Sequence, residues 1–315
     1  MPTYIPPGRV LLLVAATACW GIGTVVTKQV LDHVAALTLL PLQLAASCLL
    51  LAALTAAAHA RRRRSRDRIS WSPQMTKLTA LGILNPGAAY ALGLLGLTSI
   101  TASMSVLLWA VEPVLILLLA ATVLRESIPG VLMAGLALGL VGMLLVVYRP
   151  GATGDAIGVA LTLAAVTACA IYTVLTSRLL LDDASLTVVL AQQAAALGFA
   201  VLLATATQLS TGQGWELEPL DVPTWIGAVA SGMLYYGLAF WFFIAGLRQM
   251  PASAAGAFLP LTPVFGITGG FLIGDRLDAR QWLGAGIVIA ATTLIALRHG
   301  PPAIAQPRDS ASPTP

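Results

Sequence analysis

Apolar residues run in blocks of about twenty along this chain, and polar residues collect between the blocks. Ten runs stand out: 10–29, 34–58, 74–97, 101–124, 128–148, 155–178, 184–207, 224–247, 252–274 and 279–298. A helix of about 20 mostly apolar residues is long enough to cross a bilayer. The runs are too long for the roughly 10-residue strands of a membrane barrel and lack their alternation. The pattern predicts an all-α integral membrane protein of ten transmembrane helices, with short connections and no appended soluble domain. The first run continues to Lys28 without a clear cleavage site, so it reads as a retained span. The closing stretch "GPPAIAQPRDSASPTP" lacks the apolar residues for a core, and 301–315 is expected to be a disordered cytoplasmic tail.

The pattern also repeats. "TACWGIGTVVTK" at 17–28 is echoed by "TACAIYTVLTSR" at 167–178, an offset of 150. At the same offset Gly82 meets Gly232, Gly96–Leu97 meets Gly246–Leu247, Ala102–Ser103 meets Ala252–Ser253, and Pro113–Val114 meets Pro263–Val264. After a one-residue slip Glu126 meets Asp275, Gly135 meets Gly284 and Gln43 meets Gln192. An ordered series at near-constant offset marks an internal repeat. It divides the chain into a first repeat over 1–150 (spans one to five) and a second over 151–300 (spans six to ten). Five spans is an odd number, so the second repeat enters the membrane from the opposite face. Two inverted-topology five-helix repeats are the plan of many secondary transporters. Each half can adopt the other's conformation, and exchanging the two conformations turns an inward-open protein outward.

Charge adds an orientation. Only 10% of residues are charged, against 58% hydrophobic. With the amino end inside, the inner segments hold Arg9, Arg61, Arg62, Arg63, Arg64, Arg66, Arg68, Lys77, Arg125, Arg178, Arg248, Arg298 and Arg308, and the outer ones hold Lys28, Arg149, Arg276 and Arg280. Lys and Arg concentrate in cytoplasmic loops, so both termini are expected in the cytoplasm of a multi-pass protein of the bacterial cytoplasmic (inner) membrane. The 208–223 loop, with Glu216, Glu218 and Asp221, falls outside. "RRRRSRDR" at 61–68 lies between two spans, so it reads as an orientation anchor touching anionic lipids and not as a nucleic-acid patch.

The repeats resemble the paired ten-helix units of the drug/metabolite transporter superfamily, EamA type. The resemblance covers about 10–298 and is carried by "ACWG", "GLTSITASMSVLLWAVEPVLILLLAATVLRE" and "GLRQMPASAAGAFLPLTPVFGITGGFLIGD". It implies a transporter, and export as the direction. The family often has an arginine in span two where this chain places Gln43.

Proline-interrupted spans at matching places in two halves point to a binding site. "WAVEPV" at 109–114 and "LPLTPV" at 259–264 qualify. Pro113 and Pro263 cannot donate to the carbonyls four residues earlier, those of Trp109 and Leu259. Such carbonyls face protein, water or ligand, and the plainer reading is a packed kink satisfied by neighbouring helices. Glu112 is the one acid near mid-span. A charge at bilayer centre costs about 3 kcal/mol on insertion scales, so Glu112 needs a partner, a water-filled cavity or a proton. It is either a proton carrier or substrate-amine partner, or a protonated acid bonding a freed carbonyl. Its repeat counterpart is Thr262. Trp20, Tyr90, Trp109, Tyr172, Tyr235, Tyr236 and Trp241 lie deeper than the interfacial Trp225 and Trp282. Individually they suit helix packing. Together with Asn85, Gln43, Gln192 and Glu112 they could line a cavity for an apolar or aromatic metabolite with a polar end, and an amine would gain cation–π contact.

"GLALG" at 135–139, and Gly286 with Ala290, are small-xxx-small motifs for close helix packing. Internal packing of the halves, hence a monomer, is favoured over a homodimer.

The favoured function is therefore a secondary-active transporter of a small metabolite (an amino acid, an amine or a drug-like amphipathic compound), with protons as a candidate coupling ion. The alternatives are an integral membrane enzyme, such as a lipid-group transferase, and a non-transporting sensor or scaffold. Enzyme chemistry would need clustered acids, histidines or a metal, but His33, His59 and His299 sit at span ends. A scaffold does not need two exchangeable halves. There is no phosphate-binding G-x-x-x-x-G-K-[ST] sequence for an ATP-driven pump. No cofactor or metal is expected, and Cys19, Cys48 and Cys169 fall inside spans and form no disulfide framework.

Overall fold

The computed structural model describes residues 7–61, 72–97, 99–100, 108–147, 155–180, 185–212, 215, 221–248, 250–272 and 278–298. The basic run from 62 onward, Ala102–Ser103, Asp275, residues 213–214 and 216–220 of the 208–223 loop, and the tail lie outside the described residues.

The described residues are helical, without a β-strand. Among the described residues, nine segments are long and apolar enough to cross a membrane, and one further apolar helix, Glu112–Val123, is shorter. Span one is Pro7–Leu31, span two Ala36–Arg61, span five Gly130–Val147, span six Ala156–Leu179, span seven Ser185–Thr211 and span ten Ala279–Arg298. The remaining four are interrupted. Spans three and eight are interrupted at equivalent places, span three by a kink and span eight by a π-helical turn. The kink is Ile83–Ala88, between Pro73–Gly82 and Ala89–Leu97. The turn is Gly232–Leu238, between Val222–Ser231 and Ala239–Leu247. Span nine is Ala252–Gly256, a run of turns, then Leu261–Leu272. In span four the helix breaks at Ala110–Val111 and resumes at Glu112. The interruption expected at "WAVEPV" is thus seen: Pro113 has no N–H to bond across the break.

Local chemistry explains the helix ends. Ser72, Asp155 and Asp221 cap spans three, six and eight by accepting the N–H of Met75, Gly158 and Thr224 at 3.1, 2.7 and 3.1 Å. The Thr224 hydroxyl and N–H hold the Asp221 carboxyl below its usual range. Within the spans, threonines return their hydroxyls to their own helix. Thr24, Thr167, Thr268 and Thr292 bond the carbonyls of Trp20, Leu163, Val264 and Val288 at 2.7–2.8 Å. A threonine satisfied in this way can sit in a membrane helix.

The helices form two inverted repeats whose contacts obey a two-fold exchange of spans one to five with spans six to ten. Span one packs on eight and nine, and span six on three and four. Span two packs on eight, and span seven on three. Three pairs are their own mates: two with seven, four with nine, and five with ten. The repeated glycines sit at equivalent crossings. Gly82 lies against the backbone of Gln192, and Gly232 against the backbone of Gln43, with no room for a Cβ at either. Spans five and ten meet at Gly142 and Gly284, where a Cβ on either would lie within 3 Å of the other's carbonyl. Gly135 packs on Ile295. Gly286 and Ala290 are exposed and take no part in this crossing, which corrects that half of the packing expectation.

The outer surface is apolar. Leu11, Leu49, Leu202, Leu272 and Leu297 are each at least 68% exposed. Such a surface belongs in hydrocarbon, and the protein is a multi-pass membrane protein.

Candidate functional site

The broken spans bring side chains together at the centre of the bundle. Glu112 opens the helix Glu112–Val123 and is half-buried. It lies within electrostatic reach of Cys169 on span six and Tyr235 on span eight. Among the described residues it has no ion-pair partner.

A chain of rings begins beside it. Trp109 stacks on Tyr90 of span three, centroids 5.9 Å apart. Tyr90 meets Tyr235 and Tyr236 edge-on at 5.6 and 5.4 Å. Tyr236 stacks on Phe240 at 6.5 Å, and Phe240 meets Trp20 of span one at 5.5 Å and Tyr172 of span six at 6.2 Å. Edge-to-face contacts at these separations add to simple area burial. The rings of five spans therefore touch in one continuous series. Trp241 stands apart and stacks on Phe242 at 5.2 Å.

Burial divides the series. Trp20, Tyr172, Tyr236 and Phe240 are buried, whereas Tyr90, Trp109, Glu112 and Tyr235 keep exposed surface. The second group comes from spans three, four and eight, whose side chains meet beside Glu112. Thr24 of span one, also exposed, is within reach of Tyr235.

The amides have another role. Gln43 donates to Thr27 at 3.0 Å and to Ser231 at 2.8 Å, joining spans one, two and eight. Gln192 accepts the Tyr172 hydroxyl at 2.8 Å and donates to the Leu78 carbonyl at 3.0 Å, joining spans six, seven and three. These are two-fold mates, both fully buried, and they act as clamps between helices. Asn85 sits at the kink of span three in extended backbone (φ −146°, ψ 121°), ahead of a cis bond to Pro86. Its Oδ1 is buried with no partner among the described residues.

Span nine answers span four without duplicating it. Thr262 and Pro263 lie where span nine runs tightly against span one, at Gly21. The Leu259 carbonyl loses its donor to Pro263 but takes the Thr262 N–H at 2.9 Å, one residue early. That carbonyl is therefore occupied within its own turn.

Two residues beyond the sequence candidates join the picture. Gln193 is fully buried, donates to the Tyr236 carbonyl at 2.9 Å, and has its Oε1 without a partner among the described residues. It supports the π-turn that carries Tyr235 and Tyr236. Its only sequence signal is a second amide beside Gln192. Glu126, in the connection between spans four and five, accepts the N–H of Ala252 at 2.8 Å and of Ser253 at 3.2 Å, and the Ser253 hydroxyl.

The comparisons with known proteins agree with this architecture. An uncharacterized transporter of Archaeoglobus fulgidus is 26% identical over 229 residues, which is 72% of this chain and 79% of that protein. A solved crystal structure superposes with a TM-score of 0.77 at 18% identity, covering 93% of this chain and 98% of the other, and shares the fold. The model of the EamA-like transporter family matches twice, over 8–148 and 156–297. The two matches cover both five-helix repeats, and the chain is a membrane transporter that belongs to the EamA-like transporter family.

Proposed function

We propose that the protein is a secondary-active exporter of a small amphipathic metabolite with a cationic or proton-exchanging end, working by alternating access between its two repeats. Amino acids, amines and drug-like amines fit this description. The observation that carries the reading is Glu112. It is an acid without an ion-pair partner among the described residues, placed where span four breaks and where exposed surface of Tyr90, Trp109 and Tyr235 converges. The rings would take the apolar body of a substrate, and their faces would attract an ammonium group. Glu112 would pair with that group or hold a proton in its place, since a carboxyl at this depth needs one or the other. Surroundings that open to alternate sides let it load on one face and release on the other. The charge asymmetry favours cytoplasmic termini.

Counterflow in proteoliposomes tests the transport reading, with a panel of radiolabelled amines and amino acids. Glu112→Gln keeps the shape and removes the titration. It should fold, insert and lose pH-driven transport while substrate exchange without net proton movement survives. If transport and its pH dependence both match the unaltered protein at equal expression, Glu112 is structural.

A further inference from the structure

We propose that Glu126 is the latch of a gate that closes the space between the repeats on the face bearing the amino end, and that its contact breaks and reforms in each transport cycle. The proposal rests on the alternating-access reading above.

The argument begins with depth. Glu112 keeps exposed surface, but Ile116, one turn further toward the amino-end face, is fully buried. Ile116 packs against Gly256 of span nine, so closely that a Cβ there would come within 2.9 Å of it. Ala252 and Ser253 are buried as well, at 0% and 2% exposure. On the amino-end side of Glu112, therefore, spans four and nine, which are two-fold mates, are packed tightly together.

Glu126 ties the seal together. It follows the end of span four and bonds the first residues of span nine through two N–H groups and one hydroxyl. Hydrogen bonds to a carboxylate are about twice as strong as neutral ones. The aim of the side chain is fixed by the turn before it. The Glu126 N–H bonds the Ala120 carbonyl at 3.1 Å, and Arg125 takes a left-handed φ of 56°. Glycine usually fills that position at a helix end, so the chain accepts strain there.

Symmetry supplies the cycle. Exchanging the conformations of the two repeats exchanges the two faces. A molecule sealed at the amino-end face by span four on span nine reaches its opposite state by parting these spans at that face. The three bonds of Glu126 must then open.

Thiol labelling tests this without any substrate. Cys19, Cys48 and Cys169 are replaced by alanine, and Ala254→Cys provides a reporter that is 1% exposed behind the latch. Ala196→Cys, fully buried on span seven, reports general loosening. Maleimide labelling of purified protein in detergent follows the open population. Glu126→Ala should speed labelling at position 254 by about tenfold or more, the worth of one hydrogen bond to a charged group, and leave position 196 unchanged. Glu126→Gln, which retains an acceptor, and Ser253→Ala should give smaller accelerations, and they carry the test if Glu126→Ala fails to fold. Unchanged labelling at 254, or equal acceleration at 196, overturns the latch. A labelling change together with failed counterflow would leave the latch standing and remove the proposed substrate class. Successful counterflow without a labelling change would do the reverse.

Discussion

A methyl group added at Gly232 tests the two-fold architecture most directly. The Cβ would lie 2.5 Å from the Gln43 carbonyl oxygen and 2.7 Å from its Cα. Comfortable separations are about 3.5–4.0 Å between carbons, so spans two and eight must part by roughly 1 Å. Both obstacles are backbone, and no rotamer change relieves them. Overpacking of this kind costs about 1–3 kcal/mol, offset by up to about 1 kcal/mol from the better helix propensity of alanine. Parting the spans also stretches the Gln43–Ser231 bond, now 2.8 Å. The net loss is about 1–2 kcal/mol. At 2–4 °C per kcal/mol, the thermal midpoint in detergent should fall by roughly 2–8 °C. Gly82→Ala meets the Gln192 backbone in the mate position, still more closely, and should cost at least as much. Gly198→Ala on span seven is the control, because nothing lies within 4 Å of its Cβ. Scanning fluorimetry on the three variants decides the matter. If Gly232→Ala melts at or above both the unaltered protein and the control, the close crossing of spans two and eight is refuted.

Two further outcomes are expected. Arg125→Gly should relieve the left-handed strain beside the latch and raise the thermal midpoint, since that conformation costs a non-glycine residue about 1–2 kcal/mol; a lowered midpoint would mean that the arginine side chain supports the turn. With the termini in the cytoplasm, an impermeant thiol reagent applied to intact cells should label Ser210→Cys and spare His59→Cys in a cysteine-free background, both sites being exposed; the opposite pattern would invert the orientation.

Much of the fold was legible because membrane helices announce themselves by length and hydropathy, and because the chain states its plan twice. The breaks were less legible. Pro113 and Pro263 marked spans four and nine, since a missing N–H is a property of one residue. The kink of span three also left a mark, in the Asn85–Pro86–Gly87 sequence, a turn signal inside an apolar run. The turn of span eight has no proline, only Gly232 and Gly237, and becomes visible only through its equivalence to span three. A π-turn can be held from outside the helix, and here Gln193 of span seven does it by bonding the Tyr236 carbonyl.

The site was legible as a set of residue types and not as a set of partners. A polar group in a span must be satisfied, but the sequence does not say by what. Gln43, Gln192 and Asn85 carried equal weight as cavity residues. The two glutamines spend their amides on neighbouring helices, whereas the Asn85 Oδ1 has no partner among the described residues. Gln192 and Gln193 are adjacent, yet about 100° of helix rotation sends one to Tyr172 and Leu78 and the other to the π-turn. The two glutamates differ in the same way. Glu112 attracts notice because its surroundings in the sequence are apolar. Glu126 lies in a connection, where an acid is unremarked, and its bonds reach 126 and 127 residues along the chain. The repeat had nevertheless singled it out. A solvated loop acid has no reason to recur at the mate position, and Glu126 recurs as Asp275 while its partners Ala252–Ser253 recur as Ala102–Ser103. In an inverted repeat, a pair whose two members both recur at the repeat offset is expected of contacts that the two conformations exchange. That argument needs only the sequence, once the structure has shown that the pair touches.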